Sequence, residues 1–259
     1  MENILRHKDG RHVVVESNGT PIFDKDGLFQ GYRGIDRDIT ERKRTEYELT
    51  ISLEKLHKSI EGVVESMALM VEMKDPYTAG HQRRVAQLAC AVARAMGLPE
   101  NRIDGIRLAA LVHDIGKIYV PAEILSKPGR IAEIEFCLIK SHPKVGYDVL
   151  KTIEFPWPIA QIVAQHHERT NGSGYPFGLQ GEEILSEAKI ISVADVVEAM
   201  SSHRPYRPAL GIKEALAEIK NKKGTCYESD VVEACLYVFE KGFTFEYQDD
   251  HRLTLLKNT

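Results

Sequence analysis

The stretch RLAALVHDIGK, residues 107 to 117, most constrains what this chain can fold into. An apolar helical face abruptly carries an imidazole and a carboxylate, His113 and Asp114, just before a glycine. Burying an unpaired carboxylate is costly, so an Asp on such a face needs a cation beside it. AKIISVADVVEAM repeats the theme, with Asp195 on the apolar side of a helix four residues after Ile191. The fold must therefore bring apolar helices together around buried charge.

From about residue 60 to 242 the hydrophobic pattern is helical, and strands are hard to find. AVARAMG, LVHDIG and LYVFEKG each end on a glycine where a left-handed cap would sit, and FPWPIAQIVAQHH opens with proline near its first turn. About seven helices follow from these signals, which predicts an all-α helical bundle. The first 40 residues differ. RHVVVES is rich in β-branched residues, and FDKDGLFQGYRGI sets an Asp-Gly turn between two extended runs, so a short β-hairpin is expected there, too little for a domain.

Between them, ERKRTEYELTISLEKLHKSIEG offers good helix formers, with Thr40 as the N-cap. Leu49, Leu53, Leu56, Ile60, Val63, Met67 and Met70 alternate in steps of four and three. Over 41–60 the polar flanks favour a coiled-coil seam and a homodimer; past residue 60 the same pattern reads as an amphipathic helix lying on its own domain. The expected organisation is 1–40 strands, 41–60 connecting helix, 61–245 helical domain and 246–259 tail.

Composition removes several function classes. No run approaches the roughly 20 apolar residues of a membrane span, and MENILRHKDG has no signal-peptide core. Cys90, Cys137, Cys226 and Cys235 lie far apart with no CxxC pair, which argues against thiolate metal sites and disulfides and for a reduced, cytoplasmic setting. A net charge of -4 argues against general nucleic-acid binding.

The ten histidines form two populations. His7, His12, His57, His203 and His251 fall in polar surroundings and read as surface. His81, His113, His142, His166 and His167 lie at helix ends or beside polar groups in apolar helices. Each alone would be an ordinary hydrogen-bonded core residue. Together with Asp114 and Asp195 they are the ligand types expected for a first-row transition metal without thiolates. A carboxylate can bridge two cations about 3.5 to 4 Å apart, and such a pair makes hydroxide at neutral pH and clamps the oxygens of a phosphoryl transfer. The residues by themselves point to a metal-dependent hydrolase acting on phosphoesters.

DPYTAGH at 75–81, HDIGK at 113–117, SHP at 141–143, HHER at 166–169, GYP at 174–176, VAD at 193–195 and RPYR at 204–207 occur in the order and spacing of the HD-GYP family, and over about residues 60 to 245 the chain resembles that family. The resemblance implies a helical, metal-dependent phosphodiesterase that hydrolyses cyclic di-GMP to pGpG and, in many members, GMP. His81, His113, Asp114 and Asp195 match the ligands shared by HD hydrolases, with Asp114 the bridge; His142, His166 and His167 match the added ligands of the two-metal form, with iron or manganese expected. Some members hold a third metal through a Glu four residues before the first ligand His; here that position is Tyr77, which favours two metals. Glu72 reads as helix surface or core edge, not ligand.

By the same resemblance Lys117 reaches the phosphate, neutralising charge or protonating the leaving oxygen. Asp75 matches the acid that steadies the nucleophilic water, with a helix cap before Pro76 as its alternative. Arg204 and Arg207 suit phosphate oxygens or else surface salt bridges. Tyr175 could stack on a guanine, while Gly174 and Pro176 fix the turn. The GYP loop is, in this family, a surface implicated in contacts with diguanylate cyclase domains. Residues 6–43 resemble the last strands and Asp-Ile-Thr exit of a PAS domain, whose first half is missing, so no sensory pocket is expected within the chain. Against the active enzyme stand a catalytically silent binding or interaction module and a phosphodiesterase for another cyclic dinucleotide.

Overall fold

The computed structural model describes residues 1–74, 80–127, 129–202 and 209–246, with the side chain of His57 excepted. Asp75, Tyr77, His203, Arg204, Arg207 and His251 lie outside the described residues. The chain divides into two units, Met1–Gly62 and Val63–Thr259.

In the first unit β1 (Glu2–Arg6), β2 (His12–Phe23) and β3 (Phe29–Asp38) form an antiparallel sheet in sequential order. The sheet thus has one strand more than the expected hairpin: the turn before Arg11 closes with Gly10 N–H donating to the His7 carbonyl, and it pairs Ile4 with Val14. The Asp-Gly turn lies where the sequence places it, with the Asp24 carboxylate accepting from the backbone N–H groups of Asp26 and Leu28. Thr40 departs from its expected role. It is the first residue of α1 (Thr40–Lys74), and its hydroxyl accepts from Val14 N–H in β2, while Asp38 accepts from Thr40 N–H.

In the second unit α1 buries Val64, Ala68 and Val71, not Val63 and Met70, which are exposed. The sequence carries two neighbouring apolar rows on this helix, and the domain takes the row one residue later. Glu72 is buried as well, at 8% exposure, which leaves the core edge rather than the helix surface; its carboxylate accepts from Gly80 N–H, and burial pushes its pKa up.

The remaining helices are α2 (His81–Ala95), α3 (Glu100–Val112), α4 (Ala122–Leu125), α5 (Glu133–Ile139), α6 (His142–Leu150), α7 (Ile159–Gln165), α8 (Ser186–Ser201), α9 (Ile212–Asn221) and α10 (Ser229–Glu240), more than the seven expected because α4 and α5 are too short to show a period. Helix α2 packs on α3, α8 and α10, and α3 on α7, through Val85, Leu88, Ile106, Ile162, Ile191 and Val232. Each such side chain contributes about 1.5–3 kcal/mol by leaving water. Helix α8 buries Ala188 through Asp195 almost without a break, as a helix apolar all round must. Asp195 is carried into the interior by that helix.

Gly97 and Gly242 have the left-handed φ expected of helix stops, 75° and 91°. Gly116 does not. It is buried in a 3-10 turn, Ile115–Tyr119, that packs on α6, and a Cβ there would lie 1.9 Å from the His142 carbonyl oxygen. Its glycine serves close backbone approach between two segments that each carry a site histidine.

Candidate metal centre

Four helix ends and the middle of a fifth helix converge. His81 opens α2, His113 follows α3, His142 opens α6, and His166 and His167 follow α7, while Asp195 projects from mid α8. All five imidazoles meet ring to ring, with centroid distances from 4.1 Å for His166–His167 to 5.3 Å for His81–His113 and His142–His166. His81, His113, His142 and His166 are at most 1% exposed.

The ring orientations follow from the chain ends. Nδ1 of His113, His142 and His166 each faces the carbonyl three residues earlier, Ala110, Ile139 and Val163, at 2.7, 2.7 and 2.6 Å. A carbonyl can only accept, so each Nδ1 carries the proton and each Nε2 turns a lone pair inward. His81 is oriented instead by a carboxylate: Glu198 Oε2 takes its Nδ1, and Arg84 and Ser202 donate to Glu198 Oε1 at 2.7 Å. Burial raises the Glu198 carboxyl, but His81 and Arg84 outweigh it and hold it at about 2.

Two clusters could hold a metal ion, His81–His113–Asp114 and His142–His166–His167. Asp114 faces both. Its Oδ2 lies 3.5 Å from His113 Nε2 and 3.9 Å from His81 Nε2, whereas its Oδ1 lies 3.3 Å from His142 Nε2. Asp195 does the same, with Oδ1 3.2 Å from His81 Nε2 and Oδ2 3.9 Å from His167 Nδ1. The donor set fits cations. His113 Nε2 is buried and makes no hydrogen bond among the described residues, and the Nε2 atoms of His142 and His166 face each other at 3.3 Å.

Electrostatics agrees. Burial pushes His142 down to about 4, and burial with the neighbouring rings holds His166 and His167 well below the usual imidazole range, so all three are neutral at pH 7, the form a metal ion requires. Burial raises Asp114, yet Lys117, His113 and His142 hold it well below the carboxylate range; the same holds for Asp195 through His81, His113 and His167.

The family model for the HD domain matches residues 65–231. The chain belongs to the HD domain family, as an HD-GYP member. It is 37% identical over 74% of its length to 51% of the cyclic di-GMP phosphodiesterase response regulator RpfG of Xanthomonas campestris, and 36% identical over 66% of its length to 37% of the 3'3'-cGAMP-specific phosphodiesterase 3 of Vibrio cholerae. The chain thus spans about half or less of these curated relatives. In fold it is similar to the HDG"Y"P protein from Bdellovibrio bacteriovorus, with a TM-score of 0.53, 21% identity, and coverage of 62% of this chain and 51% of that one. No helix among the described residues is long and apolar enough to cross a membrane.

Other residues of this HD-GYP chain fall around the cluster. Lys117 Nζ donates to Asp114 Oδ2 at 2.7 Å. Tyr175 lies with its ring 4.8 Å from that of His167, at the edge of the cluster, and precedes a cis proline. Asp75, Arg204 and Arg207 lie outside the described residues.

Two carboxylates escaped the sequence reading. Glu198 lies three residues after Asp195 on α8, and that spacing on a buried helix was its one available signal. Glu168, 2% exposed, accepts from Phe177 N–H at 2.7 Å and Leu179 N–H at 3.1 Å, and so holds the GYP loop. The loop returns onto the ligand segment, since a Cβ on Gly174 would lie 2.5 Å from Arg169 N and Glu168 Cα. Nothing local in HHER separates Glu168 from a surface acid.

Proposed function

We propose that this chain is a binuclear metal-dependent phosphodiesterase that hydrolyses cyclic di-GMP to pGpG. The observation that carries the reading is that Asp114 and Asp195 each turn one oxygen to each histidine cluster, Asp114 through His113 and His142 and Asp195 through His81 and His167. Bound there, two divalent cations, iron or manganese in this nitrogen- and oxygen-rich set, would supply an activated water and a clamp on phosphoryl oxygens.

The chain's own residues do the rest. His81, His113, Asp114, His142, His166, His167 and Asp195 hold the ions, with Asp114 as the bridge. Lys117, already at Asp114, neutralises charge on the phosphate or protonates the leaving 3′ oxygen. Arg204 and Arg207 grip the phosphates, Asp75 orients the water and Tyr175 lines the substrate rim. Leu49, Leu53, Leu56 and Ile60, all exposed, form the seam of a homodimer, and the GYP loop is the surface for a diguanylate cyclase domain. A second reading, hydrolysis of the mixed GMP-AMP dinucleotide, is favoured by the Vibrio cholerae relative of that specificity.

The test is turnover of cyclic di-GMP by protein purified without air and reconstituted with iron or manganese, beside a His166→Ala, His167→Ala variant, with bound metal quantified. About two metals in the parent, and hydrolysis lost in the variant, are expected. Full loading with no turnover of any cyclic dinucleotide would replace the enzyme by a binding module.

A further inference from the structure

We infer that Lys140 reads the guanine base of the substrate and is a specificity-determining residue of this site, an inference that rests on the cyclic-dinucleotide reading above. Lys140 follows α5, a helix that buries none of its seven residues, and stands two positions before His142. Its N–H donates to the Phe136 carbonyl at 2.9 Å, so the residue is fixed as the helix ends. Its ammonium lies 4.8 Å from the centre of the Phe136 ring and 5.4 Å from that of Tyr175, and the Tyr175 ring in turn lies 4.8 Å from His167.

Two aromatic rings thus hold one cation beside the metal cluster. Among the described residues that ammonium has no carboxylate or carbonyl partner, unlike Lys117, Lys127, Lys151 and Lys189. Its three N–H donors are therefore available to a ligand at the rim, and Phe136, 45% exposed, offers a ring face next to them. A purine needs this pairing of a π surface with a polar group at its edge. Guanine presents two acceptors, O6 and N7, on one edge, which an ammonium matches; adenine presents an amino donor beside N7, which it does not. The constellation therefore favours guanine. Tyr175, with His167 and Lys140 already against its ring, serves to hold the lysine.

The test compares parent, Lys140→Gln and Lys140→Arg, all metal-loaded, for affinity and for kcat/KM toward cyclic di-GMP and cyclic di-AMP. In Lys140→Gln affinity for cyclic di-GMP should fall about tenfold or more, while that for cyclic di-AMP should hold or rise, because a glutamine amide can pair with adenine N6 and N7. Lys140→Arg, which keeps a donor fork for O6 and N7, should retain the preference. An equal loss on both ligands would make Lys140 a phosphate contact, and an unchanged ratio would make it a bystander; either overturns the inference. A parent that binds cyclic di-GMP without hydrolysing it refutes the phosphodiesterase reading alone, because the affinity ratio still decides the role of Lys140.

Discussion

The Nε2 atoms of His142 and His166 face each other across 3.3 Å, while Nδ1 of each ring is committed to a backbone carbonyl. Two lone pairs so placed repel unless a cation or a proton lies between them. Burial holds His142 at about 4 and, with the neighbouring rings, His166 well below the usual imidazole range, which disfavours the proton and leaves a metal ion as the stabilising partner. Metal removal should therefore lower the unfolding temperature, and readdition of iron or manganese should restore it. Differential scanning fluorimetry with and without chelator measures this, and an unchanged midpoint would count against the metal centre.

The same shifts fix the acid behaviour of the metal-stripped protein. His142 has its folded pKa depressed to about 4 from 6.5, so between these values the unfolded chain binds more protons, and stability falls as pH drops through that window. The loss for His142 alone is about 3 kcal/mol, at about 1.4 kcal/mol per pH unit. Above pH 6.5 its contribution is complete. Asp114 and Asp195, depressed carboxylates, keep theirs down to about pH 4 and lose it below. Urea denaturation of chelated protein from pH 7 to 4 should show the decline, and a flat profile would contradict it.

Gly116 allows the HDIGK turn to meet the start of α6. Gly116→Ala brings a Cβ to within 1.9 Å of the His142 carbonyl oxygen, a backbone atom that cannot rotate away. Overpacking of this kind costs about 1–3 kcal/mol or more. The variant should unfold earlier and bind less metal, which calorimetry and metal analysis together would reveal.

Glu168 holds two loop amides with one buried carboxylate. Glu168→Ala should leave the Phe177 and Leu179 N–H groups without their acceptor; both bonds are part-buried, so water can replace it in part and the cost is about 1 kcal/mol. Hydrogen exchange at these two amides should accelerate, with Glu168→Gln intermediate because its amide keeps one accepting oxygen. Unchanged exchange would show that the loop is held by other contacts.

Glu198 orients His81 and is itself held by Arg84 and Ser202. Loss of such a carboxylate behind a metal-binding imidazole weakens metal affinity by about 10–100-fold. Glu198→Ala should show that loss in competitive chelation, and retention of full affinity would remove Glu198 from the centre.

The sequence by itself determined the helical class, the hairpin before Thr40 though not the first strand that joins it, and the identity of the seven residues that meet at the cluster. Those signals are local: a period of 3.6, a β-branched run, a charge on an apolar face. Which carboxylate oxygen faces which histidine, why Gly116 must be glycine, and that α1 buries Val64, Ala68 and Val71 beside an exposed Val63 were decided by tertiary packing. The same holds for Glu168 and Glu198, whose partners lie 9 and 117 residues away along the chain. A side chain's burial is a property of what folds over it. Spacing along one helix carries no record of the surface another helix will bring.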